Sequence, residues 1–590
     1  MTAHHSTPSA TKSSALARKR RALLVGCAAG AAAALLVRPQ PVAAQAINAT
    51  PTTFAGSVSY FRSTPGEERI VINQFGSRNS AIIDWNFGGT VAGTHNFLPE
   101  GNVATFTGND GFAVLNRVFI SVPIEFNGLL ESIVNGDGPP GGTVIFTNAA
   151  GIIVGSTARF DVGNLVLSTL TVEPNRESGY GPDFDPQALS FVGGDANPNS
   201  AVVTQPGAQI NAPSADSYVA MVAPRVVHGG STRVNGSAAY VAGEDVDITI
   251  NSGLFNIVVN TGSDNANPLT HTGSTGGPAS TGAGDNHRIY MVAVPKNQAI
   301  TALLSGSVGF DAATDVTVEN GEIILSAGYN VSGNFVSTFN PSSQPASFQI
   351  NQGTITSDLT GAAVTNMHAG GATGNLTFSG DVELYALGSA RLFADSKRSV
   401  TVAGNASVLA TRRVEDSSET QVTGGEALVR AAADGLVVIS GDLTVDASAS
   451  GYGDGYSASA TGGTAGIAAD GGTVTVSGDV DVISDGQGGR PYSPGTGEGT
   501  GGTASIVSSN NGSVVITGEA EVRASGSGGD ASYSEPAGSG TGGNAGIRAE
   551  GGSIAITGQA LVFANGTGGW GSYYGSADSA GAGYGGTARI

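Results

Sequence analysis

One cysteine, Cys27, is all the thiol the chain holds, and it lies close to the N-terminus. If the leader that carries it is removed, the remaining chain has no disulfide, no thiolate nucleophile and no cysteine metal ligand. A large exported protein without cysteine suits passage through an oxidising compartment in unfolded form, where disulfides would otherwise form and obstruct it. Basic residues are also scarce, with 26 Lys and Arg against 47 Asp and Glu. Six of the basic residues fall within the first 46 positions, which hold no acid, so the remainder sets 20 basic against 47 acidic side chains, about −27. That field repels nucleic acid and anionic lipid, and neither is expected as a main partner. Helical periodicity is missing from Ile47 onward, and no later stretch could span a bilayer as a helix. Aromatics make up only 6% of a chain with 91 Gly, which is unlike an ordinary globular enzyme. Collagen is excluded because Gly has no three-residue period and is accompanied by Val and Ile.

Catalytic motifs are equally thin. There is no Gly-x-Ser-x-Gly elbow, no His-Glu-x-x-His and no His-x-His pair, and His4 and His5 fall in the leader. Gly-x-Gly-x-x-Gly begins at Gly497, Gly538 and Gly581, but in Gly-rich loops that open no helix, so no dinucleotide site is read there. Sugar-cleaving enzymes need clustered carboxylates, sometimes with calcium. Here the acids are scattered, and Asp381, Asp442 and Asp479 recur after a Gly at equivalent turns, which reads as geometry. Asp183 and Asp185 in "GPDFDP" read as a Pro-bounded turn or a weak calcium loop. No enzyme activity, cofactor or metal is expected.

What the chain does have begins with a secretory leader, residues 1–46. Arg18, Lys19, Arg20 and Arg21 precede an apolar core from Ala22 to Val37, then a Pro-containing turn and small residues. Cleavage is expected after Ala44 or Ala46. "LVGC" at Leu24 to Cys27 resembles a lipoprotein box but has too little apolar sequence before it.

From Ile47 onward short alternating runs such as "GTVIFTN" and "EDVDITI" are bounded by Gly, Asn, Asp or Ser, which reads as strand and turn throughout. Toward the C-terminus the pairs Gly424-Gly425, Gly462-Gly463, Gly501-Gly502, Gly542-Gly543 and Gly585-Gly586 recur every 38 to 43 residues, mostly followed by a variant of "TAGI". A strand–Gly–strand motif recurs at Gly380, Gly404, Gly441, Gly478, Gly518 and Gly558. A fixed period of this size marks a solenoid whose units bury their apolar faces against one another. The expected fold is all-β, a right-handed parallel β-helix with Gly-rich excursions. One coil takes about 20 to 25 residues, so a repeat is two coils, or one coil plus an excursion. The excursions are expected to project as flexible loops carrying Tyr452, Tyr456, Tyr492, Tyr533, Trp570, Tyr573 and Tyr574, which either contact a ligand or tuck back onto the coils. The sequence stops at Ile590 within a repeat, and an open stack is expected to continue beyond it.

Residues 82–170 are less repetitive. Trp85, Phe106, "VLNRV" from Val114 to Val118, Gly128-Leu129, Val144 to Ile152, Gly155 and "DVGNLVLST" from Asp161 to Thr169 occur in order. In these motifs the chain resembles the N-terminal secretion domain of filamentous-haemagglutinin-type exoproteins, exported by two-partner secretion in Gram-negative bacteria. The resemblance extends over about 200 residues, with a later echo in "YVAMVAPRVVHGG". The family's Asn-Pro-Asn-Gly-Ile is replaced by Asn148-Ala149-Ala150-Gly151-Ile152, which implies a variant recognition rule. The resemblance implies export by the Sec machinery, capture by the periplasmic domains of a partner outer-membrane barrel transporter, and folding on the far side. Asn116, Arg117, Val118, Asn148, Gly151 and Ile152 are its motif residues. Asn116 and Asn148 serve either secretion or the satisfaction of buried backbone groups, and Arg117 is expected to pair locally. The domains read as leader 1–46, secretion domain 47–300, continuing helix 301–422 and Gly-rich repeats 423–590. The function expected is an adhesin-like secreted or cell-surface rod with an unknown receptor or polymer as partner. The alternatives are the stalk of a larger contact-dependent toxin, or an autotransporter passenger.

Overall fold

The computed structural model describes residues 45–590, apart from 75–78, 90, 174–184, 194–196, 252–253, 280–285, 312–320, 334, 337–343, 356–357, 363, 372–375, 379, 415–418, 453–457, 491–496, 532–535 and 572–579. The part from Ala43 to Ile590 packs as one unit. Among the described residues every regular element is a β-strand, and most pair in parallel with the equivalent strand one coil away. The chain is a parallel β-helix.

The period-two pattern is the direct cause. In Thr473–Val476, Val474 and Val476 point inward and are buried, while Thr473 and Thr475 face out. Parallel, in-register pairing then places like on like: Val400, Val437, Val474, Val514 and Ile554 form one inward column. Each fully buried Val or Ile contributes about 1.5–3 kcal/mol relative to exposure. The columns merge into one apolar core that runs from Ala46 to Ala564.

Each glycine-punctuated repeat is a single coil. Glu426 pairs with Thr464, Thr464 with Thr503, and Thr503 with Asn544. One coil comprises Thr464–Asp470, Thr473–Val476 and Val480–Ile483, then the two short strands Gly486–Gln487 and Gly499–Thr500. The recurring Gly-Asp sits at the corner before the third strand. Asp442 Oδ1 accepts the Asp479 N–H at 2.9 Å, and Asp479 Oδ1 accepts the Glu519 N–H at 2.8 Å. A Cβ on Gly478 would collide with that Asp442 oxygen, so the glycine makes room for the ladder its neighbour forms.

The excursions differ from the expectation of projecting flexible loops. Their roots are ordered into two five-stranded parallel sheets, one continuing Arg412–Arg413, Ala449–Ser450 and Gly486–Gln487, the other Gln421–Thr423, Ser459–Thr461 and Gly499–Thr500. The two legs of each excursion lie face to face. Early in the stack a small core of Val414, Val422, Ala449, Ala458 and Ala460 separates them. Later, Ala449 gives way to Gly486 and Ala460 to Gly499, and the legs close to backbone contact. A Cβ on Gly486 would lie inside van der Waals contact of the Thr500 carbonyl. The glycine content is therefore a packing requirement as much as a turn requirement.

Upstream, Thr50–Ala55 pairs antiparallel with Ser80–Asn86, and Ser57–Phe61 with Glu67–Asn73, before parallel stacking takes over. Here the interior is aromatic. Phe97, Phe126 and Phe146 meet edge to face at centroid distances of 5.0–5.9 Å, and Trp85 meets Phe97 at 5.6 Å. The outward residues Leu115, Ile145 and Val166 are apolar as well. They are covered by a six-stranded side sheet that includes Ala188–Val192, Asp245–Asn251 and Leu254–Thr261. That sheet is built from insertions, which is why Val166 pairs with the distant Ala220.

Candidate functional site

The six motif residues fall on the strand Ala113–Val118, on the joint before the strand Ile152–Val154 and on the first residue of that strand. Asn116 is wholly buried, in a column of Ile83, Asn116 and Phe146 where apolar residues flank it on both sides. A buried amide there needs partners. Its oxygen accepts the Trp85 indole N–H at 3.0 Å, and its Nδ2 donates to the Ile145 carbonyl at 3.1 Å. Val118, 4% exposed, belongs to the same core.

Arg117 points the other way. Its Nε and terminal nitrogen reach the two Asp84 oxygens at 2.7 and 2.9 Å, a bidentate pair between neighbouring strands. Its guanidinium also lies 4.2 Å from the ring centroid of Phe54, which is half exposed. The local pairing expected for Arg117 is what the structure contains.

Asn148 closes a tight turn. Its Oδ1 accepts the Ala150 N–H at 3.0 Å, and its Nδ2 donates to the carbonyls of Val122 and Gly151, both at 3.1 Å. Gly151 has φ of +137°, a conformation other residues rarely adopt, and its Cβ position is crowded by Pro123. Ile152 then enters the core, paired on one side with Ile124 and on the other with Val202. None of these contacts needs the Pro or the second Asn of the family motif. In the folded chain Asn116, Asn148, Gly151 and Ile152 join coils and present little surface to a partner.

Ala44, Tyr456, Tyr492, Tyr533, Tyr573, Tyr574 and Asp183 lie outside the described residues. Ala46 is fully buried, and its carbonyl accepts Asn102 Nδ2 at 2.9 Å. Trp570 is 81% exposed, whereas Tyr452 is half-buried with its carbonyl held by Arg413 at 2.6 Å. Gly497, Gly538 and Gly581 are stacked leg residues, in which a Cβ on Gly538 would strike the Gly497 carbonyl. Among the described residues no group of three or more His, Cys, Asp or Glu is placed to hold a metal ion.

Sequence reasoning missed a polar ladder inside the core. His228 and His271 occupy equivalent positions on adjacent coils, both buried, with ring centroids 4.9 Å apart. Thr204 Oγ1 lies 2.6 Å from His228 Nδ1, and His271 Nε2 lies 2.9 Å from Thr275 Oγ1, which also meets the Tyr240 hydroxyl at 2.6 Å. Burial pushes the His228 imidazole down to about 3 and that of His271 down to about 4, the neighbouring ring adding to the effect on His228. Burial likewise pushes the Tyr240 hydroxyl up to about 12. The signal was present in "HGGST" and "HTGST", which repeat a histidine at one spacing from a Gly-Ser-Thr.

No protein-family model matches the sequence, and no curated protein is significantly similar to it. Among solved structures the chain is similar to the HMW1 secretion domain from Haemophilus influenzae, at 16% identity and a TM-score of 0.35, covering 73% of this chain and 94% of that one. It is also similar to the filamentous hemagglutinin secretion domain, at 13% identity and a TM-score of 0.29, covering 61% of this chain and 94% of that one.

Proposed function

We propose that the chain is a secreted exoprotein of the two-partner type, exported through an outer-membrane barrel transporter and serving as an adhesin-like β-helical shaft on or near the cell surface. The observation that carries this reading is the placement of the motif residues. Asn116 and Asn148, which the sequence resemblance marks as secretion residues, form the joints of the first coils, where each new coil adds to the edge of the last. In the finished fold their side chains are spent on Trp85, Ile145, Val122 and Gly151. A transporter that reads them therefore reads the extended chain, and closure of these joints outside the cell completes the handover. Coil-by-coil growth on an existing edge draws the chain forward without a nucleotide. The charged leader supplies the route to the periplasm.

The test is export in a Gram-negative host with and without a two-partner barrel transporter, sought beside the chain's own gene. The chain is expected in the medium or on the surface only with the transporter, and deletion of residues 82–170 abolishes export. Appearance of the chain outside the cell without a partner, carried by a barrel fused to its own C-terminus, would identify an autotransporter passenger instead. A nuclease or pore module encoded beyond Ile590 would make this stretch the stalk of a toxin.

A further inference from the structure

Along one corner of the repeat region runs an open groove of about 460 Å³, with Tyr385 at one end and Thr567 at the other. Its floor is a column of equivalent residues, Ser448, Asp485 and Ser525. Each gives a side-chain oxygen to the backbone N–H of the next, at 3.0 Å for Asp485 N on Ser448 and 2.7 Å for Ser525 N on Asp485. A serine that accepts in this way keeps its own O–H free to donate. Beside the floor, on the excursion leg, Ser450, Gln487, Ser527 and Thr567 stand in register, one per coil. Gln487, Ser527 and Thr567 are exposed and make no side-chain hydrogen bond among the described residues.

Two further observations restrict what fits. Charges that border the groove are already engaged, Asp485 with Arg523 at 2.7 Å, Arg412 with Glu419 at 2.9 Å, and Arg413, whose Nε donates to the Tyr452 carbonyl at 2.6 Å, so the lining offers little unspent charge to an ionic ligand. The floor is also the face of a sheet whose backbone groups are used between coils: Gly486 N donates to Ser525 O, and Gly526 N to Asn565 O. No strand edge is offered to a peptide. What the groove does offer is a line of hydroxyl and amide groups repeated at the coil rise of about 4.8 Å. The length of one sugar residue in an extended chain is close to that rise.

We propose that this groove binds an uncharged, extended polysaccharide lying along the coil stack, with successive sugars meeting successive coils. The Tyr385 ring, whose hydroxyl donates to Thr411 O at 3.3 Å, closes one end of the track. The inference gives the surface-binding half of the reading above a ligand class and rests on that reading only there, because export does not enter it.

The test uses the full secreted chain and neutral linear glucans and mannans of graded length, with binding followed by calorimetry and affinity electrophoresis. Binding is expected to strengthen with chain length, to level off at about five sugars, the number of coils spanned, and to be insensitive to salt. Gln487→Arg together with Ser527→Arg should weaken it at least tenfold without changing the melting temperature, because both side chains project from the surface. Thr475→Arg, on another outward face, should leave it unchanged. Absence of binding to every neutral polymer at millimolar sugar, equal binding by the double variant, or binding confined to acidic polysaccharides and lost in salt would each overturn the proposal. A chain that is exported normally yet fails these assays removes the groove and leaves the export reading standing. One that binds but leaves the cell without a transporter does the reverse.

Discussion

Trp85 and Asn116 are joined across neighbouring coils by a buried hydrogen bond of 3.0 Å, and the same Asn116 amide continues to Ile145 on the next coil. One side chain thereby ties three coils in a column that is otherwise apolar. Asn116→Ala strips a partner from a buried indole N–H and from a buried carbonyl, each left with the desolvation cost of an unmade bond. The variant is expected to lose about 2–4 kcal/mol of stability in this region, read as early loss of amide protection in hydrogen exchange across 80–150. If protection there matches wild type, the joint is not what holds these coils together.

The glycine legs make a sharper prediction. Gly499→Ala would drive a methyl into the Ser527 carbonyl, backbone against backbone, where no side chain can move aside. Gly466→Ala meets nothing nearer than ordinary contact, with Leu428 Cδ1 at 3.5 Å and the Ser505 carbonyl and hydroxyl oxygens at 3.6 Å. Thermal melting should therefore separate two substitutions of identical chemistry. Gly499→Ala should destabilise by about 1–3 kcal/mol or more, with Gly466→Ala close to neutral. Equal melting temperatures would mean that the legs are not in contact.

The buried histidines set an acid limit. In the unfolded chain both titrate near the ordinary 6.5, whereas in the fold burial holds His228 at about 3 and His271 at about 4. The folded state thus binds fewer protons between those values. Above pH 6.5 the pair has no effect, and stability falls progressively as pH drops from 6.5 toward 4, by about 3 kcal/mol per ring. The groups around the rings are Tyr240, Thr204, Thr275 and the carbonyls of Ser274 and Ser305, so no carboxylate among their hydrogen-bond partners offsets the charge. His228→Gln with His271→Gln should flatten the stability profile between pH 6.5 and 4. A wild-type profile already flat in that window would show that the rings are hydrated or paired.

Processing can be predicted from packing. Ala46 is fully buried and its carbonyl serves Asn102, so cleavage after Ala46 would discard a residue that the fold uses. Cleavage after Ala44 keeps it. N-terminal sequencing of the exported chain should begin at Gln45, and a start at Ile47 would refute the argument.

Strand, turn and solenoid were legible because the inward residues obey a strict alternation, as Val474 and Val476 do, and because every coil repeats it. The number of coils per repeat was not legible. Whether Gly486 and Gly499 belong to a loop or a sheet depends on what faces them across the excursion, and a glycine carries no side chain to report its partner. The asparagines of the resemblance stand out in the sequence, but their partners in the fold were hidden for a related reason. Trp85 is 31 residues from Asn116, and only the coil length brings the two together. The histidine ladder escaped because single histidines in apolar strands look isolated until the register aligns them.

The two legs of each excursion also decide where the chain tolerates change in length. Gly486 pairs with Gly526 at an offset of 40 residues, and Gly499 with Gly540 at 41, while one coil later the offsets are 40 for Gly526 with Gly566 and 43 for Gly540 with Gly583. The extra residues enter between the legs, and the register of the coils on either side is unaffected. Each of these glycine-legged coils therefore has an insertion point between its legs, beyond a glycine clamp. Foreign sequence spliced between Arg490 and Gly497 would be displayed at a fixed place on the stack, so the architecture can diversify what it presents without renegotiating how it folds.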